Sequence, residues 1–191
     1  MKLGIFGGSF NPPHKKHENI AHSLIEENYV DKVIFVPVGE FYPKKDFAPF
    51  KDRLDMLKLI SDKSKLICSD IANNEAYRYT YQVLDYFKNE YNADIYFICG
   101  MDNLIEFDTW KNYEYVLKNY KLLVINRNNT NTCEILKKYH DYLQNIIVTN
   151  IEENNISSSL IRNRINDDEF LKENLNSKVY KYIKNNFLLY R

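Results

Sequence analysis

Short apolar runs alternate along this chain with stretches whose apolar residues recur at helical spacing. The runs that predict strands cover residues 3–6, 32–38, 66–68, 94–99, 121–125 and 146–148. Helices are predicted over residues 14–29, 50–60, 79–91, 113–119 and 132–143, with two or three more within 157–187. This alternation is typical of an α/β fold in which helices cover both faces of a doubly wound parallel sheet. Ligands in such folds bind beyond the carboxyl ends of the strands.

The composition argues against several classes of protein. The 191 residues contain 26 Lys and Arg and 26 Asp and Glu, so no net charge attracts nucleic acid or an anionic membrane. Cys68, Cys99 and Cys133 are few and widely spaced, which disfavours a disulfide framework or a zinc site. Neither a charged-then-apolar leader nor a long apolar span is present. We therefore expect a cytoplasmic protein with no nucleic-acid or membrane partner. Its single domain would cover residues 1–191, with a helical C-terminal part from about residue 157.

The most informative stretch is the loop that follows the first predicted strand. Gly7 and Gly8 carry no Cβ, so a ligand can approach the backbone there. His14 and His17 are three residues apart at the start of a predicted helix, so they lie on one face beside the partial positive charge of the helix N-terminus. This arrangement predicts an anion site, with phosphate as the favoured anion. We expect both histidines at the exposed mouth of the loop.

The alternative is an ordinary strand, turn and helix with two surface histidines. Glycine, proline and histidine together at these offsets favour the phosphate site. The stretch resembles the GxFxPxHxxH signature of the nucleotidyltransferase superfamily, carried here by Gly8, Phe10, Pro12, His14 and His17. The resemblance implies a Rossmann-like fold of nucleotidyltransferase type, in which both histidines bind a nucleotide triphosphate and act in catalysis. It also implies phosphate contacts from the backbone of Gly7, Gly8, Ser9 and Phe10.

A second segment begins another predicted helix. Serine is a preferred N-cap residue, and the hydroxyls of Ser158 and Ser159 add donors after Ser157. Arg162 lies one turn beyond Ser158 and offers a planar fork for phosphate oxygens. Taken alone, the segment favours an ordinary capped helix with a surface arginine. It resembles the ISSTxxR motif of the nicotinate mononucleotide adenylyltransferase family, with Ser159 at the usual Thr. The resemblance implies that the three serines bind the triphosphate opposite the histidines, and that Arg162 is catalytic.

A third segment combines residues 97–104 with Trp110. An acidic side chain just after a strand, here Asp102, can accept hydrogen bonds from ribose hydroxyls. An indole can stack on a pyridine ring, although a lone Trp is more often a packing residue. The segment resembles the family's GxDxL…W pattern. That resemblance implies that Asp102 belongs to the nucleotide pocket, and that Leu104 and Trp110 belong to the nicotinate pocket.

Weaker matches complete the implied site. Tyr79 and Thr80 begin a stretch that resembles the family's SYT…TL segment, which lies near the pyridine carboxylate. Lys44 or Lys45, in the loop after the second strand, corresponds to a basic residue that meets phosphate, although a lysine pair in a loop is usually only solvated. Arg127, after the fifth strand, corresponds to a residue near the adenine.

The resemblance covers nearly the whole chain. It implies adenylyl transfer from ATP to nicotinate mononucleotide, giving nicotinate adenine dinucleotide (deamido-NAD) and pyrophosphate in NAD biosynthesis. Mg²⁺ is expected to arrive with ATP, without a metal site built from protein side chains. The alternatives are another nucleotidyltransferase, such as a pantetheine-phosphate adenylyltransferase or a cytidylyltransferase, and a catalytically silent nucleotide-binding module. The oligomeric state stays open, with a homodimer as one option. Lys16 stands where the family usually has Gly, and Asn11 replaces a common Asp.

Overall fold

The computed structural model describes residues 1–42, 47–126, 132–151, 156–186 and 189–190. Within these residues one sheet of six parallel strands forms, in the order β3-β2-β1-β4-β5-β6. The strands are β1 (Lys2–Gly8), β2 (Lys32–Pro37), β3 (Leu66–Cys68), β4 (Asp94–Gly100), β5 (Lys121–Ile125) and β6 (Ile146–Thr149). The prediction of an α/β fold with a doubly wound parallel sheet is confirmed.

The helices of the described residues connect and cover these strands. They are α1 (Lys15–Glu26), α2 (Phe50–Ile60), α3 (Thr80–Tyr91), α4 (Met101–Ile105), α5 (Tyr113–Asn119), α6 (Thr132–Lys137), α7 (Ser158–Asn163), α8 (Asp168–Asn174) and α9 (Ser177–Asn185). Short 3₁₀ turns cover Ile71–Asn73, Glu75–Tyr77, Phe107–Thr109 and His140–Asn145. The three C-terminal helices agree with the prediction for this region. No helix within the described ranges is both long and apolar enough to cross a membrane.

One predicted helix is shorter than the sequence pattern indicated. Residues 132–143 were expected to form a single helix, but α6 ends at Lys137 and a 3₁₀ turn begins at His140. Between them Tyr139 is buried, and its hydroxyl donates a hydrogen bond to the Leu104 carbonyl at 2.7 Å. Burial of this phenol against α4 therefore takes precedence over the local helical pattern.

Alternate residues of the central strands face opposite layers of helices. Phe6 of β1 and Phe35 of β2 pack in one apolar cluster with α1, α2 and α7 to α9. Ile5 and Ile34, their neighbours along the strands, pack in a second cluster with α3, α4 and α5. Both faces of the sheet are thus covered, which explains why the strands are continuous apolar runs.

The order of the strands fixes where a ligand can bind. β1 pairs with β2 on one side and with β4 on the other. The chain crosses from β1 to β2 and β3 first, and returns to the other side of β1 with β4. The connections after β1 and β4 therefore diverge and leave a crevice at the carboxyl ends of these strands.

Candidate active site

A cavity of about 440 Å³ lies in this crevice. Its inner part is lined by apolar residues of the sheet and of α3, among them Ile5, Val36 and Val83. Its polar part includes the end of β1 and the start of α3. The described residues that line it include two cations, Arg78 and Lys111, and no Asp or Glu. The cavity therefore favours a partly aromatic ligand that carries negative charge.

The loop between β1 and α1 borders this cavity through Gly7, Gly8 and Ser9. Phe10 follows with a positive φ of 46°, and its ring is buried against the rings of Phe6 and Phe35 at centroid distances of 5.7 and 5.6 Å. A Cβ built on Gly8 would lie 3.2 Å from the Phe10 ring, so this glycine is needed for packing as well as for ligand approach. Because the Phe10 side chain is buried, only its backbone is available to a ligand.

The two predicted histidines meet at the N-terminus of α1. Their rings stack with centroids 3.8 Å apart, and the His14 backbone N–H donates to Nδ1 of His17 at 3.2 Å. Since Nδ1 of His17 accepts this bond, its neutral ring carries the proton on Nε2, which is a donor. The expected exposure is wrong for His14, which is only 3% exposed, while His17 is half-buried. Two phenylalanine rings pack against His17, those of Phe6 and Phe10, with ring centroids 5.9 and 4.9 Å away.

Burial keeps both histidines neutral. It lowers the pKa of His14 to about 3, with a further contribution from the charge of Lys16. The pKa of His17 also lies well below its ordinary value, because of burial and then the neighbouring His14 and Lys16. Lys16 itself is buried on α1. Nδ1 of His14 is buried and has no hydrogen-bond partner among the described residues.

The second predicted motif contacts this same loop. Ser157 caps α7, its Oγ accepting from the Leu160 N–H at 3.2 Å. Ser158 donates its hydroxyl to the Pro12 carbonyl at 2.9 Å. The Arg162 guanidinium donates to the Asn11 carbonyl at 2.7 Å and to Oγ of Ser159 at 3.2 Å. The structure therefore brings together two segments that lie about 150 residues apart in the chain.

Other predicted site residues divide into two groups. Tyr79, Thr80 and Trp110 line the cavity, and Trp110 also packs on Phe107 with centroids 5.0 Å apart. Leu104 does not line it, because its side chain is fully buried in the core beneath. Asp102 is exposed at the start of α4 and likewise lies outside the cavity lining.

Three predicted residues, Lys44, Lys45 and Arg127, lie outside the described residues. Conversely, Arg78 and Lys111 line the cavity but were not predicted. Their position in the sequence was the available signal, because Arg78 precedes the predicted Tyr79 and Lys111 follows the predicted Trp110.

A third omission is Arg53 of α2, which is buried beside the loop after β1. Its signal in the sequence was a charged residue within the apolar stripe of a helix formed by Phe50, Leu54 and Leu57.

Proteins hold Mg²⁺ chiefly through carboxylate oxygens. In the described ranges, no group of three His, Cys, Asp or Glu side chains is placed to hold an ion. Glu40 and Asp102 adjoin lining residues in the sequence, and both are exposed and lie outside the cavity lining. The side chains of the described residues that line the cavity therefore do not supply the set of oxygen ligands that Mg²⁺ prefers.

Comparison with known proteins gives matches over the whole chain. Residues 5–164 match the family model described as Cytidylyltransferase-like. A Caldicellulosiruptor bescii protein named probable nicotinate-nucleotide adenylyltransferase is 37% identical over 198 residues, which cover all of both chains. A Clostridium acetobutylicum protein of the same name is 36% identical over 196 residues, which cover 98% of each chain.

Solved structures show the same fold. The Plasmodium falciparum nicotinic acid mononucleotide adenylyltransferase complexed with NaAD superposes with a TM-score of 0.82 and 24% identity, covering 100% of this chain and 98% of that one. A nicotinate-nucleotide adenylyltransferase structure from Vibrio parahaemolyticus gives a TM-score of 0.66 at 21% identity. The sequence matches over the full length, together with the paired loop and α7 segment, establish the relationship: the chain belongs to the nicotinate-nucleotide adenylyltransferase family.

Proposed function

We propose that this protein transfers the adenylyl group of ATP to nicotinate mononucleotide, forming deamido-NAD and releasing pyrophosphate. The observation that carries the proposal is the contact between the loop after β1 and the segment Ser157 to Arg162, beside the cavity at the switch point of the sheet. Family membership supports the same reaction.

The 5′-phosphate of nicotinate mononucleotide is already ionised at neutral pH, so the reaction needs no general base. The oxygen of this phosphate attacks the α-phosphorus of ATP, and the bond to the pyrophosphate breaks. The chain must hold two anions in line and stabilise the charge that grows on the leaving group. Mg²⁺ bound to the triphosphate would neutralise part of that charge. No step of the proposal requires a proton from the protein.

The phosphate-binding roles follow from where the donors lie. We assign the Nε2–H of His17, together with the backbone of residues 7–10, to the triphosphate, because Gly7, Gly8 and Ser9 line the cavity and His17 lies in the first turn of α1, directly after this loop. We assign Arg162, Ser158 and Ser159 to the opposite side of the triphosphate. Hydrogen bonds to described residues engage two of the five N–H groups of Arg162, and we assign its remaining donors to phosphate.

The pyridine nucleotide is assigned to the cavity. Trp110 offers a stacking surface, and Thr80 opens the first turn of α3, where N–H groups have no partner within the helix. These N–H groups suit a carboxylate and not the NH₂ of a carboxamide. Arg78 and Lys111, with no carboxylate among the described lining residues, add to the preference for the acid.

Pyrophosphate release tests the function directly. The purified protein, with Mg²⁺ and ATP, is assayed with nicotinate mononucleotide and separately with its nicotinamide counterpart. We expect release with the acid and a lower kcat/KM with the amide, since a buried donor facing NH₂ costs about 1–3 kcal/mol. Absence of release with the acid contradicts the proposed function. Equal kcat/KM values contradict only the assignment of the carboxylate pocket.

A further inference from the structure

The loop after β1 can bind an anion only if its N–H groups, and not its carbonyl oxygens, face the ligand. Side chains hold several of these carbonyls. The Asn11 and Pro12 carbonyls accept hydrogen bonds from Arg162 and Ser158. The Ser9 carbonyl, at the edge of the cavity, accepts from Nη1 of Arg53 at 2.9 Å. A carbonyl held in this way cannot turn toward a phosphate.

Arg53 joins this loop to two other segments. Its Nη2 donates to the Val38 carbonyl, just after β2, at 2.8 Å. Its Nε donates to the Ala48 carbonyl, just before α2, at 3.0 Å. The Ala48 N–H in turn donates to Oδ1 of Asn11 at 3.0 Å, which leads back to the loop. One guanidinium therefore fixes the ends of β1 and β2 and the start of α2 relative to one another.

The surroundings of Arg53 differ from those of an ordinary surface arginine. The residue is 1% exposed, and its guanidinium lies 5.2 Å from the ring centre of Phe47 and 5.5 Å from that of Phe50. Within the described part of the chain it forms no ion pair with a carboxylate. A buried cation is costly unless hydrogen bonds replace its water. Here the three backbone carbonyls supply those bonds.

We propose that Arg53 is a positioning residue for ATP: it holds the loop after β1 in the conformation that presents N–H groups to the triphosphate. This inference rests on the proposed function of that loop. Arg53 acts through the Ser9 carbonyl and the segments around it, and does not touch the substrate. Its three donors point at three different segments, so the shape of the guanidinium matters as well as its charge.

Arg53→Lys separates shape from charge. Lysine keeps the positive charge, but its compact ammonium cannot reach three carbonyls in a fixed fork. We expect this variant to lower kcat/KM for ATP by about 10- to 100-fold, as expected when reacting groups are misplaced by about 1 Å, with KM for nicotinate mononucleotide unchanged. ATP affinity measured by calorimetry should fall in parallel. Calorimetry measures ATP binding without turnover. If the wild type binds ATP but forms no product, the proposed function fails. If Arg53→Lys binds ATP as the wild type does, this inference fails.

Asn145→Ala is the matched control. Asn145 also donates from its side chain to a backbone carbonyl, that of Leu117 at 2.8 Å, but it lies at the amino end of β6, away from the cavity. We expect this control to lower the thermal midpoint and to leave both the ATP affinity and the kcat/KM for ATP as in the wild type. All parameters are compared at a temperature well below the lowest midpoint.

Phe50→Leu keeps the test decisive if Arg53→Lys does not fold. It retains Arg53 and removes one of the two rings beside its guanidinium. We expect a smaller loss of ATP affinity of the same kind, with KM for nicotinate mononucleotide unchanged. If the variants lose stability but keep the ATP affinity and kcat/KM of the control, Arg53 is only a structural residue and the inference is wrong. If Arg53→Lys folds and its ATP affinity and kcat/KM for ATP equal those of the wild type, the inference is likewise wrong.

Discussion

At the scale of single residues, His17 has two roles that one substitution can separate. Its Nδ1 accepts from the His14 N–H, and its Nε2–H is proposed to donate to the triphosphate. His17 is the third residue of α1 after its N-cap, a position where glutamine can also accept from the cap N–H. We expect His17→Gln to keep the thermal midpoint and to lower kcat by about 10²–10³, as for loss of one transition-state donor.

His17→Ala and His22→Gln complete this test. The alanine variant should lose kcat and also about 0.5–1.5 kcal/mol of stability, since the N–H of His14 loses its partner. His22, exposed on the same helix, should tolerate glutamine with wild-type kcat. Full turnover in His17→Gln would show that His17 is structural. The measurements are steady-state kinetics and thermal unfolding on each variant.

The anion site in the loop after β1 was predictable from the types of its residues and their spacing. Gly8, His14 and His17 at these offsets are not typical of an ordinary turn and helix. The burial of His14 was not predictable in the same way. His14 stacks on His17, whose ring packs against Phe6 of β1 and Phe10 of the loop, and no local pattern encodes these contacts. The role of Arg53 depends in the same way on three segments that meet only in the fold.

At the scale of elements, α7 and the residue that caps its C-terminus place two arginines in different surroundings. Arg162 reaches the Asn11 carbonyl of the loop after β1. Arg164 instead forms an ion pair with Asp167 and lies 3.9 Å from the centre of the Phe170 ring. We expect Arg162→Ala to lower kcat, and Arg162→Lys to fail to restore it, because an ammonium cannot replace the planar fork.

Arg164→Ala is the control for this element. It should keep kcat and KM, and lose about 0.5–1 kcal/mol of stability with its exposed cation–π contact. Kinetics with ATP as the varied substrate, together with urea unfolding, measure both quantities. If Arg164→Ala is the impaired enzyme and Arg162→Ala is not, the assignment of this motif is wrong.

The elements themselves were largely predictable from periodicity, because most are long enough to show their pattern. Two helices are exceptions, one for a tertiary reason and one because it is short. α6 stops early where Tyr139 enters the core, and α4 has only five residues, too few for a clear helical period. The distances between α7 and the loop after β1 likewise could not be obtained from either element alone.

At the scale of the whole molecule, the buried histidines make stability depend on pH. The pKa of His14 is about 3 in the folded chain, against an ordinary value of 6.5. Between these values the unfolded chain binds more protons, so the free energy of unfolding falls as the pH drops below 6.5. The loss between pH 7.5 and 5.5 is roughly 1.4 kcal/mol for such a histidine. His17, also with a lowered pKa, acts in the same direction.

Urea unfolding of the wild type and of His14→Gln at pH 7.5 and 5.5 tests this prediction. The variant should lose less stability than the wild type over this interval. Glu18, whose pKa is raised by burial, acts in the opposite direction but is common to both proteins, so its effect cancels. An equal loss in both would show that the pKa of His14 is the same in the folded and the unfolded chain, which contradicts the prediction.

The class of the whole fold was predictable, because alternating strands and helices leave few arrangements. The order of the strands could not be predicted from the alternation of strands and helices, because the same alternation is compatible with β1 at the edge of the sheet. It follows from crossovers that place β2 and β4 on opposite sides of β1. That central position is what puts the loop after β1 beside the cavity.

The long separation between the loop after β1 and α7 has a consequence for protein synthesis. Arg162 follows Asn11 by 151 positions, and β6 is translated between them. At about 5–20 residues per second, a ribosome completes the second segment roughly 8–30 s after the first. Because β6 ends at Thr149, the nascent chain already contains strands β1 to β6 when Arg162 is translated. Nucleotide binding therefore requires translation to proceed beyond Arg162, and an ATP analogue would report on synthesis of α7 rather than on early folding.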